Sequence, residues 1–482
     1  MRRFLTALLL SSWGLCGMSW SLAEENLRSE ASAGLRKAVD FFHTQVATEG
    51  GYLWRYSEDL RTREGEGKAT ATQVWVQSPG TPSVGMALLE VYRATGDRHY
   101  LEAARDAGMC LVRGQLRSGG WDYRIEFDPK RRASCAYRVE ATDSKRARNV
   151  STLDDDNTQS AVRFLMQLDK ALAEKDAKIH EAVQYALEAL LKAQYPNGAW
   201  PQRFSQPPDP QKHPVLKANY PETWSRTYPK EDYAGHYTLN DETIPDTIVT
   251  MLEAAKHYGD SRYQAAAMKG GDFLILAQMP DPQPAWAQQY NAQMQPAWAR
   301  RFEPPSITGG ESQGAMRILL ELYAATGEKR FLAPIPRAVA YLRASQLPDG
   351  RLARFYELKT NKPLYCTKDY QLTYSDADMP THYGFKSGHS LARIEAEYQR
   401  LAKTDPKALA AKPSAAARAK KPSKRQEADV RRVLAALDAQ GRWVEKGRMR
   451  YWGDDDPTQR VIDSQTFLQN VRVLAGYLAA AK

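Results

Sequence analysis

The sequence predicts an all-α protein, an α/α toroid (barrel) of about six helical hairpins with minor short strands in its loops. Three observations lead there. An apolar run of helical period, ending in a short polar turn that holds Gln or Gly, recurs along the 482 residues. A second amphipathic helix precedes most copies, and a strand-like aromatic or basic tail follows several of the turns. A hairpin of two such helices cannot bury its apolar stripe alone, so the copies stack, and six of them with signature turns on one end suggest closure into a ring, with an open superhelix as the structural alternative.

The runs are residues 35–51, 101–120, 179–198, 263–282, 331–350 and 428–441, roughly seventy to ninety residues apart. The second helices are 83–95, 159–171, 246–258, 312–326, 390–401 and 464–481. After four of the turns come GGYLWRYS, GGWDYRIEF, NGAWPQRF and DGRLARFYEL. In such a ring the turns and their tails line a cleft at one mouth.

Composition bounds the rest. A hydrophobic fraction of 43% and a charged fraction of 26% are those of an ordinary globular protein. Arg2 and Arg3 precede an apolar run from Phe4 to Trp13, and Ser21-Leu22-Ala23 offers a small-x-small cleavage site. This layout predicts a signal peptide over 1–23 and a single toroid domain over 24–482. A lipoprotein anchor at Cys16 is disfavoured, because Trp13-Gly14-Leu15 precedes it rather than small residues. No later segment is apolar and long enough to span a bilayer, so the expected location is secreted or periplasmic. Beyond Cys16 only Cys110, Cys135 and Cys366 remain, without metal-ligand spacing. They read either as three buried thiols or as one Cys110–Cys135 disulfide with a thiol left over.

The formal net charge is +10. Part of it leaves with the leader, and part sits in the Ala/Pro/Lys-rich stretch 403–425, which reads as a flexible basic loop. No nucleic-acid reading motif accompanies it. The remaining basicity suits an acidic ligand, and a monomer is expected.

Three loop constellations carry clustered charge. Ser151-Thr152-Leu153-Asp154-Asp155-Asp156-Asn157-Thr158 precedes a helix, and three adjacent carboxylates exceed what capping needs, which favours a hard divalent cation such as Ca²⁺. Tyr233 to Glu242 (YAGHYTLNDE) holds His236, Asn240, Asp241 and Glu242 at the equivalent place in the next hairpin. An N-cap by Asn240 or Asp241 and a structural His236 are the plainer readings of that stretch. The third, Trp286 to Glu311, combines Trp286, Trp298, Arg300, Arg301 and Glu303 with a Pro-Pro break that forbids a helix. Guanidinium forks suit carboxylates, although Arg301 and Glu303 read equally well as a surface ion pair. Trp200, Trp224, Trp286, Trp298, Tyr195 and Tyr356 fall in loops, where sugar faces stack on aromatic rings, with core packing as the alternative for each. Acidic loops, arginines and aromatic walls together describe a site for an acidic polysaccharide.

At these residues the chain resembles the family 10 polysaccharide lyases (pectate or pectic acid lyases). The likeness runs from about Gly50 to Lys386. QSPGTPSVGMALLEVY, SGGWDYRI, STLDDDNT, AQYPNGAWPQRF, YAGHYTLNDE, WARRFEPPSITGGES and ARFYELKTNKPLY carry it, in that order. The resemblance implies a secreted α/α toroid that cleaves polygalacturonate by Ca²⁺-dependent β-elimination. It implies metal contacts at Asp154 and Asp241, a Brønsted base at Arg300 and a carboxylate binder at Arg354. Trp200, His236, Asn240 and Arg301 are the remaining candidate substrate contacts. TLDDDNT, NDETIPD and GAWPQ depart from the family's pattern, and the hairpins after Lys386 lie outside it. The other readings of the same cleft are a glycoside hydrolase using Asp154 and Asp241 as acid and base, and a non-catalytic glycan-binding protein.

Overall fold

The computed structural model describes residues 14–139, 144, 146–405 and 421–480. Among them are thirteen α-helices and short strands confined to the connections. In chain order the helices are α1 Gly14–Phe41, α2 Thr81–Thr95, α3 Arg98–Gly114, the single turn α4 Pro129–Arg132, α5 Asn157–Ala171, α6 Ala177–Ala193, α7 Thr243–Tyr258 and α8 Ser261–Ala277. Then come α9 Gly309–Thr326, α10 Ile335–Ala344, α11 Leu391–Ala402, α12 Lys424–Ala435 and α13 Ser464–Ala480. Every helical run read from the sequence is present.

The described chain groups into two compact units. One comprises residues 1–74, 83–107 and 416–482. In it α1, α12 and α13 pack on one another, and five short strands form a sheet in which Arg55–Ser57 pairs with both Arg63–Gly65 and Arg460–Asp463. The other comprises residues 75–82 and 108–415. There the first helices of successive hairpins pack in series, α5 on α7, α7 on α9 and α9 on α11, while α6, α8 and α10 back their own partners.

The turns that end three of the hairpins are built the same way. Tyr195 N–H donates to Ala199 O and Gly198 N–H to Tyr195 O, both at 2.9 Å, and the pattern repeats at Leu116–Gly120 and Leu347–Arg351. Gly198 has φ +94°, and a Cβ there would meet Lys269 O at 2.0 Å, so glycine is required twice over. The glutamines before these turns have a defined task. Gln115 donates to Gly119 O and Ala182 O, Gln194 to Gly198 O and Ala266 O, and Gln278 to Pro284 O and Pro334 O. Each ties its own turn to a backbone carbonyl of the next hairpin.

A buried tryptophan closes the unit. Trp121, Trp200 and Trp443 donate their indole N–H at 2.9 Å to Leu111 O, Leu190 O and Val433 O, each ten residues earlier. Trp286 bonds Leu274 O at 2.8 Å in the same manner. These carbonyls lie in the last turns of their helices, where orphan acceptors need a donor.

The basic stretch 403–425 differs from expectation at its end. Residues 406–420 lie outside the described residues, but α12 begins at Lys424 with Ser423 and Gln426 forming a reciprocal capping box. Much of the expected leader, residues 1–13, likewise lies outside the described residues. Among the described residues no helix is long and apolar enough to cross a membrane. Cys110 and Cys366 are buried and Cys135 is half-buried, and no disulfide links Cys110 to Cys135.

Candidate functional site

Two copies of one local structure build the acidic part of the site. Thr152-Leu153-Asp154-Asp155-Asp156 and Thr238-Leu239-Asn240-Asp241-Glu242 each pass from a two-residue strand into a single 3-10 turn and then into α5 or α7. Leu153 and Leu239 N–H donate to Gln202 O and Gln288 O at 2.8 Å, fixing both loops against the WPQ and WAQ segments that follow Trp200 and Trp286. In each copy two consecutive acids adopt left-handed backbone, Asp155 and Asp156 at φ 51° and 58°, Asp241 and Glu242 at φ 48° and 56°. Non-glycine residues there cost of order 1–3 kcal/mol each, and such strain clusters at functional sites.

The strained turns do not serve capping. Asp156 and Glu242 stand at the N-cap positions of α5 and α7, yet no side-chain cap bond is made there. Neither Asn240 nor Asp241 caps α7. The last acid of each copy turns instead to an arginine, Asp156 to Arg163 at 2.6 Å and Glu242 to Arg317 at 3.2 Å. This leaves Asp154, Asp155 and Asp241, whose nearest ligand oxygens lie within 4.8 Å of one another. At that separation two carboxylates repel by about 3 kcal/mol for an effective dielectric of roughly 20.

Each carboxylate is partly tied. Asp154 Oδ2 accepts from Tyr123 O–H at 2.6 Å, Asp155 Oδ2 from Gln77 Nε2 at 2.9 Å, and Asp241 Oδ2 from Asn240 Nδ2 at 2.5 Å. Asp154 Oδ1 is buried without a hydrogen-bond partner. Burial, followed by the charge of Asp154, pushes the Asp241 carboxyl up to about 6, with Arg300 and Arg354 opposing. A divalent cation among these oxygens would remove the repulsion and occupy the orphan oxygen, so the donor set fits a hard cation.

Three guanidiniums rim the cluster. Arg203 Nη2 is 4.0 Å from Asp154 and Arg300 Nη2 is 3.9 Å from Asp241. Arg354 Nη2 donates to Asn240 Oδ1 at 3.1 Å and to the buried Glu311 at 3.0 Å. Arg300 is gripped by Glu303, which is 1% exposed: Nε donates to Oε2 at 2.9 Å and Nη2 to Oε1 at 2.6 Å. Burial by itself would lower the Arg300 pKa, but the hydrogen bonds and charge of Glu303 outweigh it and raise it further. With Asp154, Asp155, Asp241, Glu303 and Glu311 against Arg203, Arg300 and Arg354, two negative charges are left over, which a divalent cation offsets.

Of the residues read from the sequence, Asp154, Asp241, Asn240, Arg300 and Arg354 therefore come together. Asn240 is a link, with one amide end on Arg354 and the other on Asp241. Arg301 stacks its guanidinium 3.6 Å from the Tyr370 ring centre, and Glu303 pairs with Arg300 rather than with it. His236 is half-buried, and its burial lowers the imidazole pKa. Asp155 and Arg203 were not singled out by sequence. Aligning the two copies would have found Asp155, since it is the position that answers to Asp241.

The aromatic wall needs correction. Trp200, Trp286 and Tyr356 are buried to 1% exposure or less, and their polar atoms are spent on Leu190 O, Leu274 O and Ser345 O. Tyr195 and Trp298 are nearly buried, bonded to Gly235 O and Ser225 O. Trp200 is thus a core residue that offers no face to a sugar. Trp200→Phe is expected to lower the unfolding midpoint, through the lost indole bond and a residual void worth about 1–3 kcal/mol, while KM stays within about twofold.

The Asp241 shift has a consequence for cation binding. A group raised to about 6 carries its proton below that pH, so a bound cation must displace it. Cation affinity, read by titration calorimetry, is expected to fall about tenfold per pH unit below pH 6 and to level off above it.

The sequence and known structures bear on this site. Residues 122–325 match the sequence model of the family described as pectic acid lyase, the family to which the motifs pointed. No curated protein sequence matches the chain. Among solved structures, a mutant family 10 polysaccharide lyase from Cellvibrio cellulosa, in complex with trigalaturonic acid, is 21% identical. The match covers 65% of this chain and 98% of that one, with a TM-score of 0.45. A second family 10 polysaccharide lyase structure from the same organism covers 64% and 97% at 21% identity and TM-score 0.45. A cellobiose 2-epimerase from Bacillus thermoamylovorans covers 94% and 99% at 10% identity and TM-score 0.45.

Proposed function

From the pectic acid lyase match over residues 122–325, we propose that the protein is a secreted or periplasmic pectate lyase that cleaves polygalacturonate-type chains by calcium-assisted β-elimination. The observation that carries this reading is the meeting of Asp154, Asp155 and Asp241 within 4.8 Å, two loops of one repeated design, beside Arg300. A lyase needs cations that neutralise the uronate carboxylate and a group that accepts the C5 proton, and these residues supply both roles.

Asp154, Asp155 and Asp241 would hold the calcium ion, which when bound withdraws charge from the uronate carboxylate and so acidifies its C5–H. Arg354, fixed by Glu311 and Asn240, binds the carboxylate's second oxygen or that of the neighbouring sugar. Arg300 takes the C5 proton. The C5–H electron pair becomes the C4–C5 double bond, the C4–O bond breaks with its electrons, and the leaving oxygen is protonated from solvent. Arg300 is held as a cation at rest by Glu303, so its base form is scarce and the rate rises with alkaline pH.

An inverting hydrolase pairing Asp154 with Asp241 is disfavoured by the same closeness, because such a pair needs its carboxyls about 6.5–9.5 Å apart to admit water. Product mass decides between the two chemistries. Elimination gives a fragment lighter by one water than the hydrolytic product, and the hydrated mass alone would overturn the lyase reading.

A further inference from the structure

Arg300 lies on a loop after Trp298, where nothing in regular secondary structure would hold its guanidinium. Glu303 holds it. This carboxylate, fully inside the protein, also accepts from Arg300 N–H at 3.0 Å, Gln288 Nε2 at 2.7 Å and Tyr383 O–H at 2.8 Å. Gln288 is the residue whose carbonyl anchors the Asp241 loop through Leu239 and Asn240 N–H. Glu303 therefore ties the arginine to the carboxylate cluster through one side chain. The Tyr383 ring stands between the two working guanidiniums, its centre 5.6 Å from Arg300 Cζ and 4.4 Å from Arg354 Cζ. It is packed in turn by Phe302 at 4.6 Å and Phe385 at 5.4 Å.

We propose that Glu303 and Tyr383 are a positioning couple for the reaction, with Glu303 aiming the Arg300 guanidinium and Tyr383 both orienting Glu303 and setting the spacing between Arg300 and Arg354. The proposal rests on the lyase reading above. Tyr383 lies beyond residues 122–325, so this part of the machinery comes from a later segment of the chain. The bidentate grip leaves Arg300 Nη1 to face substrate, and a displacement of about 1 Å at such a group costs on the order of a hundredfold. Two buried acceptors shared among three partners also make the couple sensitive to each donor, because removing one leaves Glu303 under-solvated.

The test is a double-mutant cycle of Tyr383→Phe and Glu303→Gln, with kcat and KM measured on polygalacturonate and folding checked by unfolding midpoint. Glu303→Gln is expected to lower kcat about 10- to 100-fold and Tyr383→Phe about 3- to 10-fold, each with KM changed less than about threefold. The double variant should match Glu303→Gln within about twofold, since the tyrosine hydroxyl acts through Glu303. Multiplicative losses, or losses in KM rather than kcat, overturn the positioning couple. Tyr383→Phe keeps the ring and its packing, so it remains informative if Glu303→Gln unfolds, and wild-type kcat in that variant also overturns the proposal. Arg300→Ala separates this failure from failure of the parent reading: full activity there would remove Arg300 from catalysis, whatever its neighbours do.

Discussion

Arg300→Ala is expected to lower kcat by about 10²- to 10⁴-fold while the protein stays folded. The side chain is 40% exposed, so its loss opens no core cavity, although it leaves Glu303 buried without its guanidinium partner. That uncompensated charge is expected to cost stability at neutral pH, and assays belong well below the unfolding midpoint. Arg300→Lys separates two roles for the residue. Lysine titrates near 10.4, well below arginine, so if the group is the base, the variant keeps partial activity and its alkaline limb moves to lower pH. If the group only clamps a carboxylate, the limb does not move and KM rises instead. Rates across pH 7–11 read the difference directly.

The second large effect concerns the acidic cluster. Asp154→Asn combined with Asp241→Asn is expected to abolish the calcium response and to reduce turnover by at least about a hundredfold, because both loops lose a ligand. Stability moves the other way. Asp241 has its pKa raised to about 6, mainly by burial, so its charged form opposes folding, and that penalty grows as pH rises from the unfolded carboxylate value through 6. Asp241→Asn should therefore raise the unfolding midpoint of the calcium-free protein by about 1–2 °C at pH 7.5, with no gain at pH 4. Calcium at a hundred times its Kd should stabilise the wild type by about 2.7 kcal/mol and leave the double variant unchanged. Asp155→Asn belongs with these variants, because Asp155 faces the same cluster.

How much of this was legible in the sequence follows from which interactions are local. The helices were readable because their apolar period and turn glycines are local, and Gly198 shows why the turn residue could not vary. The acidic loops were readable because three carboxylates in a row exceed what capping uses. Of the cluster's acids, Asp154 and Asp241 are legible in the sequence, whereas Asp155 is not singled out, since nothing local announces the left-handed backbone at Asp155 and Asp156. The tryptophans misled because a loop position suggests exposure, whereas Trp200 and Trp286 fold back to cap their own helices. The recurring ten-residue spacing to Leu111, Leu190 and Val433 was the signal for this. An Arg301–Glu303 surface ion pair is only one of the two readings that the sequence offers for Glu303. Its true partner, Arg300, is fixed by a tight turn in which Glu303 N–H donates to Arg300 O at 2.8 Å, a geometry that spacing alone does not specify. Tyr383 arrives from eighty residues away, and no local pattern could place it.

Calcium-assisted elimination is measured most directly as absorbance at the unsaturated-uronate band while the wild-type protein acts on polygalacturonate, with added Ca²⁺ and with chelator, at pH 7 and under alkaline conditions. The expected result is a rise that requires Ca²⁺, is faster at alkaline pH and is lost in Arg300→Ala. No rise in any of these conditions from folded protein, or a rise unaffected by chelator and by Asp154→Asn with Asp241→Asn, would contradict it.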